Sequence, residues 1–439
     1  MGKTRLLLEW SSAHDGLYTV ADPSSAPVQR RYFAQAVAER FPGFDEVTYP
    51  DWRSLLRRLS GECGSRGWRG PLILDELPHL IAADRTLPGI LQNWIDGGAR
   101  TARMVVAMAG SSQRMMQGAV LDASAPLYGR AAELLEIKPL LPGYLSRAFG
   151  SLPPRRIAEL HALWGGIPRY WELAQPFGDS LEEAVDGLVL DSSGPLHAEP
   201  DRLLMQESPS AASLRPILDQ IGAGVHRMSE IAGRLGQPAT SLSRPLSRLI
   251  ELGLVKREIP FGEEEKSGKL ALYRIGDPFF RLWFSVVAPH RSLFAAGPRE
   301  TRLAVWRKLR PNLEAQAWED LCRACVPFLH KTDSPLGAPG PWMPARRYWR
   351  RGEPEWDVVA SSLDGEHLLL GEVKWLEKPA DAGTLRAVAA ELEANGAPAV
   401  VRRPKNIIRA VYVPQVRGSV RSLASAHAVD CRTVLSCLV

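Results

Sequence analysis

Three short groups of residues in this 439-residue chain have the types and spacing to do chemistry on phosphate. The first is Gly2-Lys3-Thr4, which leads an apolar, helix-like segment, MGKTRLLLEW. In a loop of the form G-x-x-x-x-G-K-[ST], backbone N–H groups and a helix N-terminus surround the phosphates. The lysine offsets the β/γ charge and the hydroxyl serves Mg2+. The second is Asp75-Glu76, which closes the apolar run LILDE. Asp75 suits Mg2+-bound water, and Glu76 suits orienting or deprotonating an attacking water. The same pair could equally cap the helix that follows. The third is Asp357 with Glu372-x-Lys374. Alternation puts Glu372 and Lys374 on one strand face, and a hairpin through LDGEH can bring Asp357, fifteen positions earlier, alongside. Two acids beside a lysine suit metal-assisted phosphodiester hydrolysis: Asp357 and Glu372 hold Mg2+, and Lys374 positions or activates water and offsets phosphate charge. Glu319, on the helix-like stretch NLEAQAWEDLCRACV, is a further candidate metal ligand. The alternatives for this group are an exposed charged hairpin, or a nuclease-like fold used for binding without turnover.

The surrounding pattern says what must position them. Short apolar runs bounded by turn residues, PLILDEL and RMVVAMAGSS, fit buried parallel strands of an α/β sheet over residues 1–150. The second run ends in Ser111-Ser112, where a polar side chain could sense the γ-phosphate. Helical text occupies 151–215. Residues 216–290 read helix, turn, helix, hairpin. Leu242, Leu246, Leu249 and Leu252 give the second helix one buried face, leaving Arg244 and Arg248 for other faces. This is a winged-helix pattern, with Arg244 and Arg248 as candidate DNA contacts; intramolecular packing is the competing role. The hairpin tip carries Glu263, Glu264 and Glu265, which would repel phosphate, against Lys266 and Lys269. From about 300 to 439 the order is helix, three strands beginning at RYWR, helix, strand.

The order G-K-T, L-I-L-D-E, A-G-S-S, P-L-Y-G-R, G-G-I-P-R-Y resembles that of archaeal-type ATPases of the STAND branch of AAA-like P-loop proteins. The likeness runs over roughly the first two-thirds of the chain. It implies ATP and Mg2+ as cofactors, with Gly2, Lys3, Thr4, Asp75, Ser111, Ser112 and Arg130 near the nucleotide. Thr4 and Asp75 would face the metal, and Glu76 would be catalytic. Gly165 to Pro168 would open a helical lid, and Arg130 would approach the γ-phosphate unless it forms a surface salt bridge. The sequence starts inside the loop, so the preceding strand and first glycine are expected upstream, and the chain reads as a truncated ATPase. The D…E-x-K group with its element order resembles the PD-(D/E)xK, restriction-endonuclease-like fold, which implies Asp357, Glu372 and Lys374 as catalytic. Trp356 stands where the motif's name has proline.

The expected fold is therefore α/β and multidomain: a parallel P-loop sheet (1–150), a helical lid (151–215), a winged helix (216–290) and a nuclease-like domain (300–439). The expected function is an ATP-binding and ATP-hydrolysing switch coupled to DNA, with partner or self-association on activation. The alternatives are a non-catalytic DNA-binding or scaffold protein that keeps the ATPase fold, and a nuclease whose ATPase part only regulates it.

Composition fits these classes and disfavours others. Hydrophobic residues make up 45% and charged residues 23%, as in ordinary globular proteins. The net charge of +5 mildly favours an anionic partner. No apolar run reaches the roughly 18 residues of a membrane span, and no secretory signal pattern opens the chain, which points to the cytoplasm. Five cysteines, odd in number and scattered, argue against a disulfide framework. Cys322-x-x-Cys325 reads as a pair of core thiols, with metal or redox use as the alternative. His79 and His161 lie on helices without metal-like partners and read as structural or solvated.

Overall fold

The computed structural model describes residues 2–110, 116, 118, 120, 122–123, 125–150, 152–207, 211–266, 268–401, 406–418 and 423–439. The chain divides into two compact units, 1–138 and 139–439.

In the first unit, β1 (Leu17–Val20), β2 (Pro71–Asp75) and β3 (Val105–Met108) form a parallel sheet in the order β1-β2-β3. All five residues of β2 are buried, as expected of a central parallel strand covered on both faces. Leu72 and Leu74 join a core with Leu17, Phe33, Leu55 and Leu59, drawn from the covering helices and β1. Helix Trp52–Ser65 starts where the Asp51 side chain accepts from the Ser54 N–H. Its buried Leu55, Leu56 and Leu59 supply one apolar face. Register pairs Val20 with Asp75, so the C-terminal end of β1 lies beside the acid that closes β2.

The second unit begins with helices. Gly165 and Gly166 separate helix Pro154–Trp164 from helix Pro168–Ala174. Gly165 sits at φ 56°, which favours glycine, and Pro168 takes the helix-starting position that its missing N–H tolerates. A Cβ on Gly166 would lie 2.1 Å from the Leu140 carbonyl oxygen, so only glycine fits there. Helix Met228–Arg234 and helix Ser243–Glu251 are followed by the antiparallel hairpin β4 (Val255–Glu258) and β5 (Leu272–Ile275). Leu242, Leu246 and Leu249 are buried as their spacing predicts, and Leu252 packs against the same core. An aromatic helix, Pro278–Leu282, is capped by Asp277, and Phe279, Phe280, Trp283 and Phe284 are all buried.

The long helix Arg299–Cys325 precedes a five-stranded sheet. Its strands are β6 (Arg346–Tyr348), β7 (Trp356–Ser361), β8 (His367–Val373), β9 (Asn406–Tyr412) and β10 (His427–Val429), in the order β10-β9-β8-β7-β6. The strands β6, β7 and β8 run antiparallel, and β8, β9 and β10 run parallel. Helix Ala382–Ala394 makes the crossover from β8 to β9. β10 has no counterpart in the sequence expectation. One core runs from Leu145 through the aromatic helix to Leu438, so packing shows no break at 215 or 290. Cys322 and Cys325 are both fully buried, and the Cys325 thiol donates to the Cys322 carbonyl.

Candidate functional site

In the first unit, helix Lys3–Ala13 starts directly after Gly2, at φ 87°, so Lys3 and Thr4 occupy its first turn. The backbone N–H groups of that turn have no intrahelical partners, and the helix dipole adds partial positive charge there. The Lys3 ammonium donates to the Gly110 carbonyl oxygen, just past β3. The Thr4 hydroxyl donates to Asp75 Oδ2 at 3.0 Å across 71 positions of sequence. Tyr18, on β1, donates to the same oxygen at 2.7 Å, and the Glu76 N–H donates to Oδ1 at 3.0 Å. Asp75 is thus buried with both oxygens satisfied. Burial and the Asp75 carboxylate drive the Tyr18 phenol well above its ordinary range, so it remains a donor. Glu76 lies in the left-handed region at φ 54°, an uncommon conformation for a non-glycine residue.

The structure brings Lys3, Thr4, Asp75 and Glu76 together, and adds Tyr18, which no sequence motif marked. Its only advance signal was a short apolar run, LYTV, whose register with β2 the sequence does not state. Ser111 and Ser112 lie outside the described residues. Arg130 forms a two-pronged pair with Asp96, Nε to Oδ1 at 3.0 Å and Nη2 to Oδ2 at 2.8 Å, and donates to the Pro126 carbonyl. This is the salt-bridge alternative rather than a contact with the Lys3–Asp75 group.

In the second unit, the register Val358↔Gly371 of β7 and β8, continued by one residue, sets Asp357 opposite Glu372. Asp357 Oδ2 accepts from the Val373 N–H at 3.0 Å, and Lys374 Nζ donates to Glu372 Oε1 at 2.7 Å. Burial raises the Glu372 carboxyl above its usual range; Lys374 opposes this, while Asp357 and Glu391 add to it. Burial lowers the Lys374 ammonium, but the bond to Glu372 and the nearby acids outweigh that and raise it. A lysine held protonated can offset phosphate charge, but it is poorly suited to act as a base. Glu391, on helix Ala382–Ala394, is an acid near this pair that the sequence pattern did not single out.

Glu319 lies close enough to Asp357 for the two carboxylates to interact. It lies 3.5 Å from Arg323 and 4.0 Å from Arg347, and burial followed by Asp357 raises its carboxyl. Among the described residues no three His, Cys, Asp or Glu side chains converge as a metal site. On helix Ser243–Glu251, Arg244 is exposed and Arg248 pairs with Glu251 at 3.2 Å. No helix among the described residues is long and apolar enough to cross a membrane.

With this geometry in view, the comparisons fix the class of fold. The chain is similar to the Walker-type ATPase PABY2304 of Pyrococcus abyssi, at TM-score 0.50 and 19% identity, over 64% of this chain and 87% of that one. The likeness shows the fold alone, α/β with a parallel sheet. An uncharacterized protein of Methanocaldococcus jannaschii is 27% identical over 376 residues, 85% of this chain and 80% of that protein. Residues 283–385 match a family described as archaea bacterial proteins of unknown function, DUF234. That stretch contains Glu319, Asp357, Glu372 and Lys374.

Proposed function

We propose that this chain is a STAND-like switch that binds and hydrolyses ATP with Mg2+ at the Lys3, Thr4, Asp75 and Glu76 group, and that it is coupled to DNA. The carrying observation is the hydrogen bond from the Thr4 hydroxyl to Asp75, with Lys3 anchored at the end of the neighbouring strand. A hydroxyl and a buried carboxylate are hard oxygen donors, which fits Mg2+ held by few protein ligands and by phosphate. Bound Mg2+ would neutralise charge on the β- and γ-phosphates. Lys3 and the free N–H groups of the first helical turn hold phosphate oxygens, and Gly2 leaves the approach open. Glu76 orients water from the end of β2. Tyr18 keeps Asp75 aimed.

Glu76→Gln is expected to retain ATP binding while hydrolysis falls at least about a hundredfold, the usual scale for losing a general base. Phosphate release assayed beside nucleotide binding checks this. Undiminished hydrolysis would remove Glu76 from the role. A chain that binds DNA but never ATP would favour the scaffold alternative.

A second activity is favoured by the Asp357, Glu372 and Lys374 arrangement: Mg2+-dependent phosphodiester cleavage by a nuclease-like module, with the helix–turn–helix and hairpin acting as a winged helix. Two acids opposite each other on neighbouring strands repel, and a divalent cation held by both would relieve that repulsion. Asp357 and Glu372 would hold it, and Lys374 would steady the phosphate. Lys374→Ala is expected to abolish Mg2+-dependent cutting of plasmid DNA while DNA binding persists. Cutting at the wild-type rate would sink this assignment.

A further inference from the structure

The hairpin loop between β4 and β5 and the strand β6 enclose a cleft of about 430 Å³ that neither activity above uses. Its volume falls in the range of roughly 300–1,000 Å³ typical of ligand sites. Four guanidinium groups line it, from Arg257, Arg323, Arg346 and Arg347, against two carboxylates, Glu258 and Glu265. The lining therefore carries two positive charges in excess. Arg347 is the least satisfied of these. Its Nε and Nη1 are buried with no hydrogen-bond partner among the described residues. Carboxylates of Glu258, Glu355 and Glu319 stand 3.8, 3.9 and 4.0 Å away, too far for hydrogen bonds.

The acidic hairpin tip, which by sequence should repel phosphate, points Glu265 at a cleft arginine and Glu263 at Arg350, outside the lining. Glu265 Oε1 lies 2.9 Å from Arg346 Nη2, and Glu263 Oε1 lies 2.5 Å from Arg350 Nη2. The loop is held by a backbone bond from the Phe261 N–H to the Arg347 carbonyl, 2.8 Å. Phe261 also packs against the cluster that holds Tyr348 and Trp356, and a Cβ on Gly262 would overlap Val400 at 2.6 Å. The Glu265 side chain remains 82% exposed, so its pairing with Arg346 is exchangeable with solvent. Arg323 joins the cleft to the acids of the sheet, because its Nη1 donates to the Asp357 carbonyl at 3.1 Å.

We propose that this cleft binds backbone phosphates of a nucleic-acid strand, with Arg346 and Arg347 as the main contacts. In the free protein the Glu265 carboxylate occupies the place a phosphate takes on Arg346, and Glu263 adds negative charge beside it on the same loop. Guanidinium forks match phosphate oxygens two at a time, and a strand seated here continues past Arg323 toward Asp357 and Glu372. The inference rests on the nucleic-acid coupling proposed above and adds to it a binding site and its internal competitor.

The test is fluorescence anisotropy of a labelled single strand about 16 nucleotides long, titrated with the full chain in EDTA across a range of salt. Replacing both arginines, Arg346→Ala with Arg347→Ala, is expected to weaken binding at least tenfold. It should also reduce the log–log salt slope by roughly 1.4, about 0.7 for each phosphate that the protein no longer neutralises. Glu263→Gln with Glu265→Gln, which touches only the loop, is expected to tighten binding at least threefold. A wild-type chain that binds no strand would overturn the nucleic-acid coupling and this site with it. Binding left within twofold by the arginine pair, or untouched by the glutamate pair, would overturn the cleft alone. A mononucleotide that binds as tightly as the strand would overturn the strand as occupant.

Discussion

Asp320, on the helix Arg299–Cys325, serves three cations at once. Arg281 Nη2 lies 2.6 Å from Oδ2, Arg323 Nη2 lies 2.7 Å from Oδ1, and Lys256 also donates to it. Burial alone would raise this carboxyl; Lys256, Arg281 and Arg323 outweigh burial and hold it well below the usual range. Asp320→Asn would leave those cations without their shared partner, an expected loss of about 3–5 kcal/mol. Urea unfolding measures it, and a change under about 1 kcal/mol would mean the cations find other partners. At this scale the sequence was unevenly legible. Thr4 and Asp75 belong to motifs, so their meeting could be anticipated. Tyr18 and Arg323 belong to none. Their partners come from strand register and helix packing across tens of residues, which local pattern does not encode.

Among the elements, helix Pro154–Trp164 leaves His161 half-buried with its Nδ1 out of solvent, and burial, reinforced by Arg281, pushes its imidazole down to about 4. The unfolded chain binds this proton near pH 6.5, and the folded chain does so only near 4. Between those values the unfolded state holds more protons, so stability falls as pH falls through the window, by roughly 3 kcal/mol when complete. His226, also lowered by burial, acts in the same direction. Glu314 and Glu319, raised chiefly by burial, act against it. Comparison with His161→Gln therefore isolates the effect: the wild type should lose stability relative to the variant from pH 6.5 to 4. Parallel curves would mean that the fold does not hold the His161 imidazole neutral. The hairpin loop shows what local pattern cannot supply. Glu263 and Glu265 looked like acids facing a nucleic acid, but their cations, Arg350 and Arg346, lie more than eighty positions away. Helix faces, by contrast, were legible, because Leu242, Leu246 and Leu249 obey a 3.6-residue period whatever they pack against.

Across the whole molecule, two units with separate cores hold the two groups of candidate site residues. The first presents Lys3, Thr4, Asp75 and Glu76 at the ends of parallel strands, where open α/β sheets bind ligands. The second carries the two acids on an antiparallel pair of strands, with the lysine one residue past the end of β8. The succession of elements could be read from sequence because apolar runs and turn residues mark it directly. The sharing of one core by the helices between 145 and 222, the hairpin and the C-terminal sheet could not, because it depends on long-range packing of aromatic residues such as Trp283 and Trp306. The nucleotide site is tested most directly by equilibrium titration of the full chain with a fluorescent ATP analogue in Mg2+, for the wild type and for Lys3→Ala. Saturable binding is expected in the wild type, weakened about tenfold or more in the variant, the scale of removing one charged hydrogen bond. A dissociation constant that Lys3→Ala leaves unchanged would mean that Lys3 and Thr4 do not form the nucleotide site.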